Sequence, residues 1–377
     1  METAHVATNG RLNPVKVLIV DDSAVVRQIL SRELAKDPQI EVIGTAGDPI
    51  FALEKLNKAM PDVIVLDIEM PRMDGLTFLR SLMPCQPANS MSTERKPIPV
   101  IILSSLAERG TQMAIDAMAA GAVEVFSKPQ GSFQNGTADT IQRLAFAIKG
   151  AAQARPFAGT GARQFPVAFK PGAIPLNHAQ RKTDQVIAVA ASTGGTEALK
   201  LLFSELPVDS PGILAVLHMP QGFTRRYAER LNELCTIDVR EACDGDRLHA
   251  GLALLAPGGY HLALNQTSKP FSVNVLQGPQ VCRHRPSAEV LFQSVARGAG
   301  PNALGIMLTG MGSDGADGLL AMRQAGAHTI AQDEQSCVIF GMPKEAIRRG
   351  AAAEVLSLDR ISAACTRWSK AALVQHA

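Results

Sequence analysis

An α/β protein of two blocks is predicted by three observations. Short β-branched apolar runs alternate with segments of helical spacing, the alternation happens twice, and a proline-rich basic stretch separates the two passages. A length of 377 residues leaves room for two domains.

In the first block the strand candidates are 15–20 (VKVLIV), 41–46, 62–66 (DVIVL), 100–103 and 123–126, each closed by polar or turn residues. Segments 23–36, 51–59, 75–83 and 112–120 place apolar residues at helical spacing. Five strands alternating with helices imply a parallel sheet covered on both faces, with ligands outside the carboxyl ends of its strands. Residues 137–154 read as an amphipathic closing helix. From 155 to 182 the chain carries Pro156, Pro166, Pro171 and Pro175, five Lys/Arg and no acid, which reads as a linker.

The second block begins at 183. Its strand candidates are 185–190, 212–217, 237–241, 252–255, 261–264, 272–276, 304–308 and 329–331, with helices at 196–206, 224–234, 288–297 and 315–326. Pro257-Gly258-Gly259 between short strands suggests antiparallel hairpins set into an otherwise α/β fold. The organisation expected is therefore 15–135 for the first domain, 136–183 for closing helix and linker, and 184–377 for the second domain.

Composition excludes several function classes. Hydrophobic residues at 46% and charged residues at 19% rule out global disorder. Aromatics at 4% leave few stacking platforms for bases, and 37 basic against 35 acidic side chains offer no polyanion-binding field. The surplus is local: residues 131–182 hold seven basic side chains and one acid, while both flanking blocks are slightly acidic. The six cysteines form no C-x-x-C pair, no stretch approaches the ~18 apolar residues of a membrane span, and the first residues lack an apolar signal core. The expectation is a cytoplasmic protein with no nucleic-acid partner and no membrane insertion.

Asp21 and Asp22 follow the first strand candidate and Asp67 the third, so a parallel sheet gathers three carboxylates on one edge. They would repel one another, and a Mg²⁺ ion removes that cost. Ser104 and Lys128 join the same edge after the fourth and fifth strands, with Pro129 turning the chain. Taken singly, each acid could be a solvated loop cap. DD at 21–22, D at 67 followed by MPRMDG, SS at 104–105 and KP at 128–129 resemble the receiver domain of two-component response regulators. The resemblance implies a flavodoxin-like five-stranded sheet in which a histidine kinase phosphorylates Asp67. Asp21, Asp22 and Asp67 would hold Mg²⁺, and Ser104 and Lys128 would bind phosphoryl oxygens. Val125 departs from the aromatic switch residue of many receivers, which bears on the readout rather than on phosphorylation.

In the second block Ala191-Ser192-Thr193-Gly194-Gly195 follows a buried strand and opens a helix, where N–H groups can hold an oxyanion. A phosphate-binding turn or a helix-capping serine fits the same stretch. His218 ends the next strand, and Asp314 lies in a glycine-rich turn after a later one, with Asp317 as a rival acid one helical turn on. Ser192, His218 and an acid at three strand ends make a triad plausible, although the order is not that of the α/β-hydrolases and no G-x-S-x-G elbow is present. ASTGG at 191–195, HMP at 218–220, APGG at 256–259, RHRPS at 283–287 and LTGMGSDGADG at 308–318 resemble the catalytic domain of the CheB protein-glutamate methylesterase family. That resemblance selects Asp314 over Asp317 and implicates Thr193 and Met311 near the oxyanion. His261, His284 and Cys282 read as surface or substrate-groove residues.

What the resemblance implies is a phosphorylation-activated methylesterase, also a glutamine deamidase, that acts on methyl-accepting chemoreceptors and is phosphorylated by a chemotaxis histidine kinase. It would need no cofactor for ester hydrolysis and would work as a monomer. The unphosphorylated receiver is expected to pack over the Ser192 edge. The competing reading is a non-enzymatic two-component regulator with a DNA- or protein-binding output domain. Against DNA binding stand the near-neutral second block and the lack of a helix-turn-helix pattern.

Overall fold

The computed structural model describes residues 13–82, 97–105, 107–128, 137–154, 184–266 and 270–375. Pro129 and the expected linker at 155–182 lie outside them. Strands β1 (Val15–Val20), β2 (Ile40–Ala46), β3 (Val63–Asp67), β4 (Val100–Ser104) and β5 (Glu124–Ser127) form one sheet in the order β2-β1-β3-β4-β5, parallel throughout. Every residue of β3 and β4 is buried, as central strands with helices on both faces require.

Local chemistry sets the helix starts. Helix α1 (Ala24–Leu34) is capped by the Ser23 hydroxyl, and α2 (Pro49–Leu56) by Asp48, with proline in its first turn. Helices α3 (Gly75–Leu82), α4 (Glu108–Ala119) and α5 (Thr137–Ala151) complete the layers. Ile141, Leu144 and Ile148 of α5 share a hydrophobic cluster with Val17, Ile19 and Val65, so the closing helix packs with the first sheet.

The second sheet has seven strands: β6 (Val186–Ala191), β7 (Gly212–Leu217), β8 (Asp238–Glu241), β9 (Leu252–Leu255), β12 (Ala303–Met307), β13 (His328–Gln332) and β14 (Glu354–Leu356). Their order is β14-β13-β12-β6-β7-β9-β8, and every pairing is parallel. The antiparallel element is a separate pair, β10 (His261–Leu264) with β11 (Val273–Leu276). The helices are α6 (Gly195–Ser204), α7 (Phe223–Leu234), α8 (Ala288–Gly298), α9 (Ala316–Gln324), α10 (Met342–Arg348) and α11 (Leu358–Gln375).

Three elements, α10, β14 and α11, have no counterpart in the sequence reading. Strand β14 is three residues long with no fully buried position, too short for a periodicity to show. Helix α11 buries Leu358, Ile361, Ala364 and Cys365 at helical spacing, two of the four being small or thiol side chains.

The two sheets meet through α4, which packs against α6 and α7. Ile115 and Met118 of α4 lie in one continuous apolar cluster with Leu199, Phe203 and Tyr227 of the second block.

Candidate active site

At the carboxyl edge of the first sheet Asp21 and Asp67 are buried and Asp22 is exposed, and the three can bring ligand oxygens within 4.8 Å of one another. Backbone N–H groups of Ser23 and Glu69 donate to Oδ1 of Asp21 and Asp67 at 2.9 and 3.0 Å. The two Oδ2 atoms face Lys128, whose Nζ lies 3.2 Å from Asp21 and 2.6 Å from Asp67, yet neither accepts a well-aligned hydrogen bond. Burial pushes the Asp67 carboxyl up to about 6 against the pull of Lys128, and raises Asp21 as well. Two buried carboxylate oxygens lacking aligned donors, beside an exposed third acid, fit a hard divalent cation. Ser104 is buried on the same edge, with its hydroxyl turned to the Ser105 carbonyl at 3.1 Å.

On the second sheet β6 lies between β12 and β7, so the loops after these three strands are neighbours. Ser192 follows β6 and its N–H donates to Thr309 O at 3.0 Å, while His218 N–H donates to Ala191 O at 3.1 Å. Gly310 fits the loop closely against the serine, because a Cβ there would lie 2.8 Å from Ser192 Cβ. The buried Thr309 hydroxyl bonds Thr193 O at 3.0 Å and receives Ile339 N–H at 3.0 Å, tying the loop after β12 to the start of α6.

His218 Nε2 stands 2.7 Å from Asp314 Oδ2, with both side chains buried. That contact puts the ring proton on Nε2 and leaves Nδ1 as the acceptor, a buried nitrogen with no partner. Asp314 also receives the Ser287 hydroxyl at 2.6 Å and backbone N–H groups of Ala288 and Glu289 at 2.7 and 3.2 Å, at the start of α8. Burial alone would raise its carboxyl, but these donors, His218 foremost, hold it down at about 2. The rival Asp317 is exposed and pairs with Arg349.

His284 stacks on His218, with ring centroids 3.7 Å apart and planes 5° from parallel. Burial first, then His218, pushes it down to about 2, so it packs as a neutral ring. Burial and the nearby Asp314 push the Cys282 thiol up to about 11, keeping it protonated. His261 receives Ser287 N–H at Nδ1 and contacts Pro279 O at 2.9 Å, a structural role.

Ser192, Thr193, His218, Met311 and Asp314 share a cavity of about 680 Å³ with Glu124 of β5 and Phe146 of α5. The cavity is thus walled by both blocks. Among the described residues, no hydrogen bond joins the Ser192 hydroxyl to His218 in this arrangement. Sequence reasoning missed Ser287, His284 as a stacking partner, and Glu124. Ser287 could have been found as a capping serine followed by Glu289; nothing local marks Glu124.

A carboxylate pocket of receiver type, coupled to a second parallel sheet with serine, imidazole and carboxylate on one edge, defines a response regulator with a hydrolase-type output domain. Two family models match the chain: response regulator receiver domain over residues 17–135, and CheB methylesterase over residues 187–365. The Chromobacterium violaceum protein-glutamate methylesterase/protein-glutamine glutaminase 1 is 48% identical over 92% of this chain and 97% of that protein. The corresponding enzyme of the group 3 operon of Rhodopseudomonas palustris is 49% identical over 95% and 97%. The solved Thermotoga maritima CheB methylesterase catalytic domain is 31% identical, covering 49% of this chain and 99% of that one, at a TM-score of 0.48. The chain belongs to the CheB family of protein-glutamate methylesterases/protein-glutamine glutaminases. Among the described residues, no helix is long and apolar enough to cross a membrane.

Proposed function

We propose that this chain removes methyl groups from glutamate γ-methyl esters of methyl-accepting chemoreceptors, deamidates receptor glutamines at the same site, and is switched by phosphorylation of Asp67. The observation that carries the reading is the buried His218–Asp314 pair beside Ser192, with Nδ1 of the imidazole left as a free acceptor.

Ser192 Oγ attacks the γ-carbonyl carbon while His218 Nδ1 takes its proton. Asp314 holds the Nε2–H and stabilises the imidazolium. The tetrahedral intermediate collapses when His218 returns that proton to the leaving oxygen, releasing methanol, or to the leaving nitrogen, releasing ammonia. Water then attacks the acyl-serine through the same base, giving glutamate and free Ser192. Thr193 and Met311, which line the same cavity, are assigned to the oxyanion side.

At the first sheet Asp21, Asp22 and Asp67 would hold Mg²⁺, which when bound offsets the charge of the carboxylates and of an incoming phosphoryl group. Lys128 stands ready for a phosphoryl oxygen, and Ser104 reaches one by turning its hydroxyl from the Ser105 carbonyl. A histidine kinase of the chemotaxis type supplies the phosphoryl group. The domains run 15–135, with α5 packed onto the first of them, and 184–377.

The test is methanol release from methylated receptor by Ser192→Ala. Loss of release with phosphorylation of Asp67 intact supports the assignment; retained release removes Ser192 from the mechanism.

A further inference from the structure

The receiver does more than cover the active-site edge: it inserts a glutamate side chain into it. Glu124 opens β5, and its Oε2 receives the Thr193 hydroxyl at 2.6 Å, one residue from Ser192. Beside it, Val123 O of the receiver faces Gly194 N–H at 3.4 Å, at the start of α6. Two acceptors from consecutive receiver residues thus sit on two donors from consecutive residues beyond the nucleophile. Glu124 also lines the cavity that holds Ser192, His218 and Asp314. Burial raises its carboxyl above the usual range, opposed by the Thr193 hydroxyl, Arg143 and His218.

Within the receiver, Glu124 meets the positive charge of Arg143 on α5. Its alternating neighbour on the strand, Phe126, is apolar and buried among Leu144 and Ile148 of α5. The Glu124 side chain is half-buried, and its hydrogen bond crosses to a donor of the other domain. The product of the proposed reaction is a glutamate γ-carboxylate, the same group that Glu124 presents one residue from Ser192.

We propose that Glu124 is an internal product mimic, its carboxyl occupying the subsite of the substrate glutamyl group while the receiver is docked. The inference rests on the methylesterase reading above and adds a local plug to the exclusion of bulky receptors. It also gives phosphorylation a short path. Lys128, the cation on Asp67, is the first residue after β5 and four positions from Glu124. A phosphoryl group that recruits Lys128 acts directly on the segment that carries the plug.

A plug differs from a lid in its effect on small substrates. A lid spares a short ester that can slip beneath it, whereas a plug excludes it. The experiment follows hydrolysis of a short peptide bearing a glutamate γ-methyl ester by the full chain, with and without beryllofluoride as phosphoryl analogue. Wild type, Glu124→Ala and Glu124→Gln are compared, the glutamine variant keeping side-chain volume and a hydrogen-bond acceptor. Glu124→Ala should cut the ratio of activated to resting rate about tenfold, the worth of one charge-assisted hydrogen bond, by raising the resting rate. Glu124→Gln should fall between it and wild type. In addition, N-acetylglutamate should inhibit resting Glu124→Ala while leaving the residual resting wild-type rate insensitive. Equal ratios in all three proteins, with clear hydrolysis after activation, would overturn the plug and leave the methylesterase reading standing. No hydrolysis by activated wild type, on peptide or on methylated receptor, would overturn both.

Discussion

Asp314 shows how a single side chain is fixed for a role. It is buried, yet four donors converge on it: His218, the Ser287 hydroxyl and two N–H groups at the start of α8. Removing one neutral donor leaves the others, so Ser287→Ala should lower kcat about tenfold with little change in KM. Steady-state kinetics on a γ-methyl ester checks this, and an effect confined to KM would contradict it. Asp314→Asn alters the imidazole tautomer itself and should cost about ten-thousand-fold in kcat. In the receiver, the raised carboxyl of Asp67 means that the folded protein holds a proton there between its unfolded value, 3.8, and about 6. The stability that this protonation contributes is present below 3.8 and lost as pH rises through about 6. A cation on the ionised pocket restores it, so Mg²⁺ should raise Tm more at about pH 7.5 than at about pH 5. An equal shift at both pH values would argue against the pocket as its site.

At the scale of elements, strand ends placed most of the site and were legible in the sequence. The runs ending before Asp21, Asp67, Ser192 and His218 are β-branched and apolar, so their period is plain and the polar residue after each is conspicuous. Asp314 stands seven residues beyond β12, in a glycine-rich turn that left Asp317 as a rival until the family resemblance chose between them. What stayed hidden depends on packing between distant elements. Glu124 is one charged residue in a short edge strand, and its meaning arises only when Thr193 is brought to it. Helix α5 gives the same lesson. Gly150 is a poor helix residue, but a Cβ there would lie 2.2 Å from Met311 Sδ and 3.3 Å from Ile339 Cδ1. The glycine admits the active-site loop against the receiver. Gly150→Leu should therefore weaken docking and raise resting hydrolysis without phosphodonor; an unchanged resting rate, with α5 intact by circular dichroism, would contradict that.

Taken as a whole, the molecule is two parallel sheets whose functional edges are linked through β5, α4 and α5. The apolar cluster through α4 holds the domains together, and the cavity between them is lined by Ser192, His218 and Asp314. The basic surplus of residues 131–182 lies in the closing helix and the segment after it, leaving two slightly acidic domains, a balance suited to reversible docking rather than to nucleic-acid binding. The domain order, both chemistries and a receiver packed over the Ser192 edge were expected from the sequence, whereas the residues that make the contact were not, because they depend on surfaces contributed by both domains. Control of ester hydrolysis at Ser192 by phosphorylation at Asp67 is tested by methanol release from methylated chemoreceptor with the full chain, with and without a small phosphodonor and Mg²⁺, in wild type and Asp67→Asn. Release should rise with phosphodonor in wild type and not respond in Asp67→Asn; a wild-type rate indifferent to phosphodonor, or an equal response in both proteins, would refute that control.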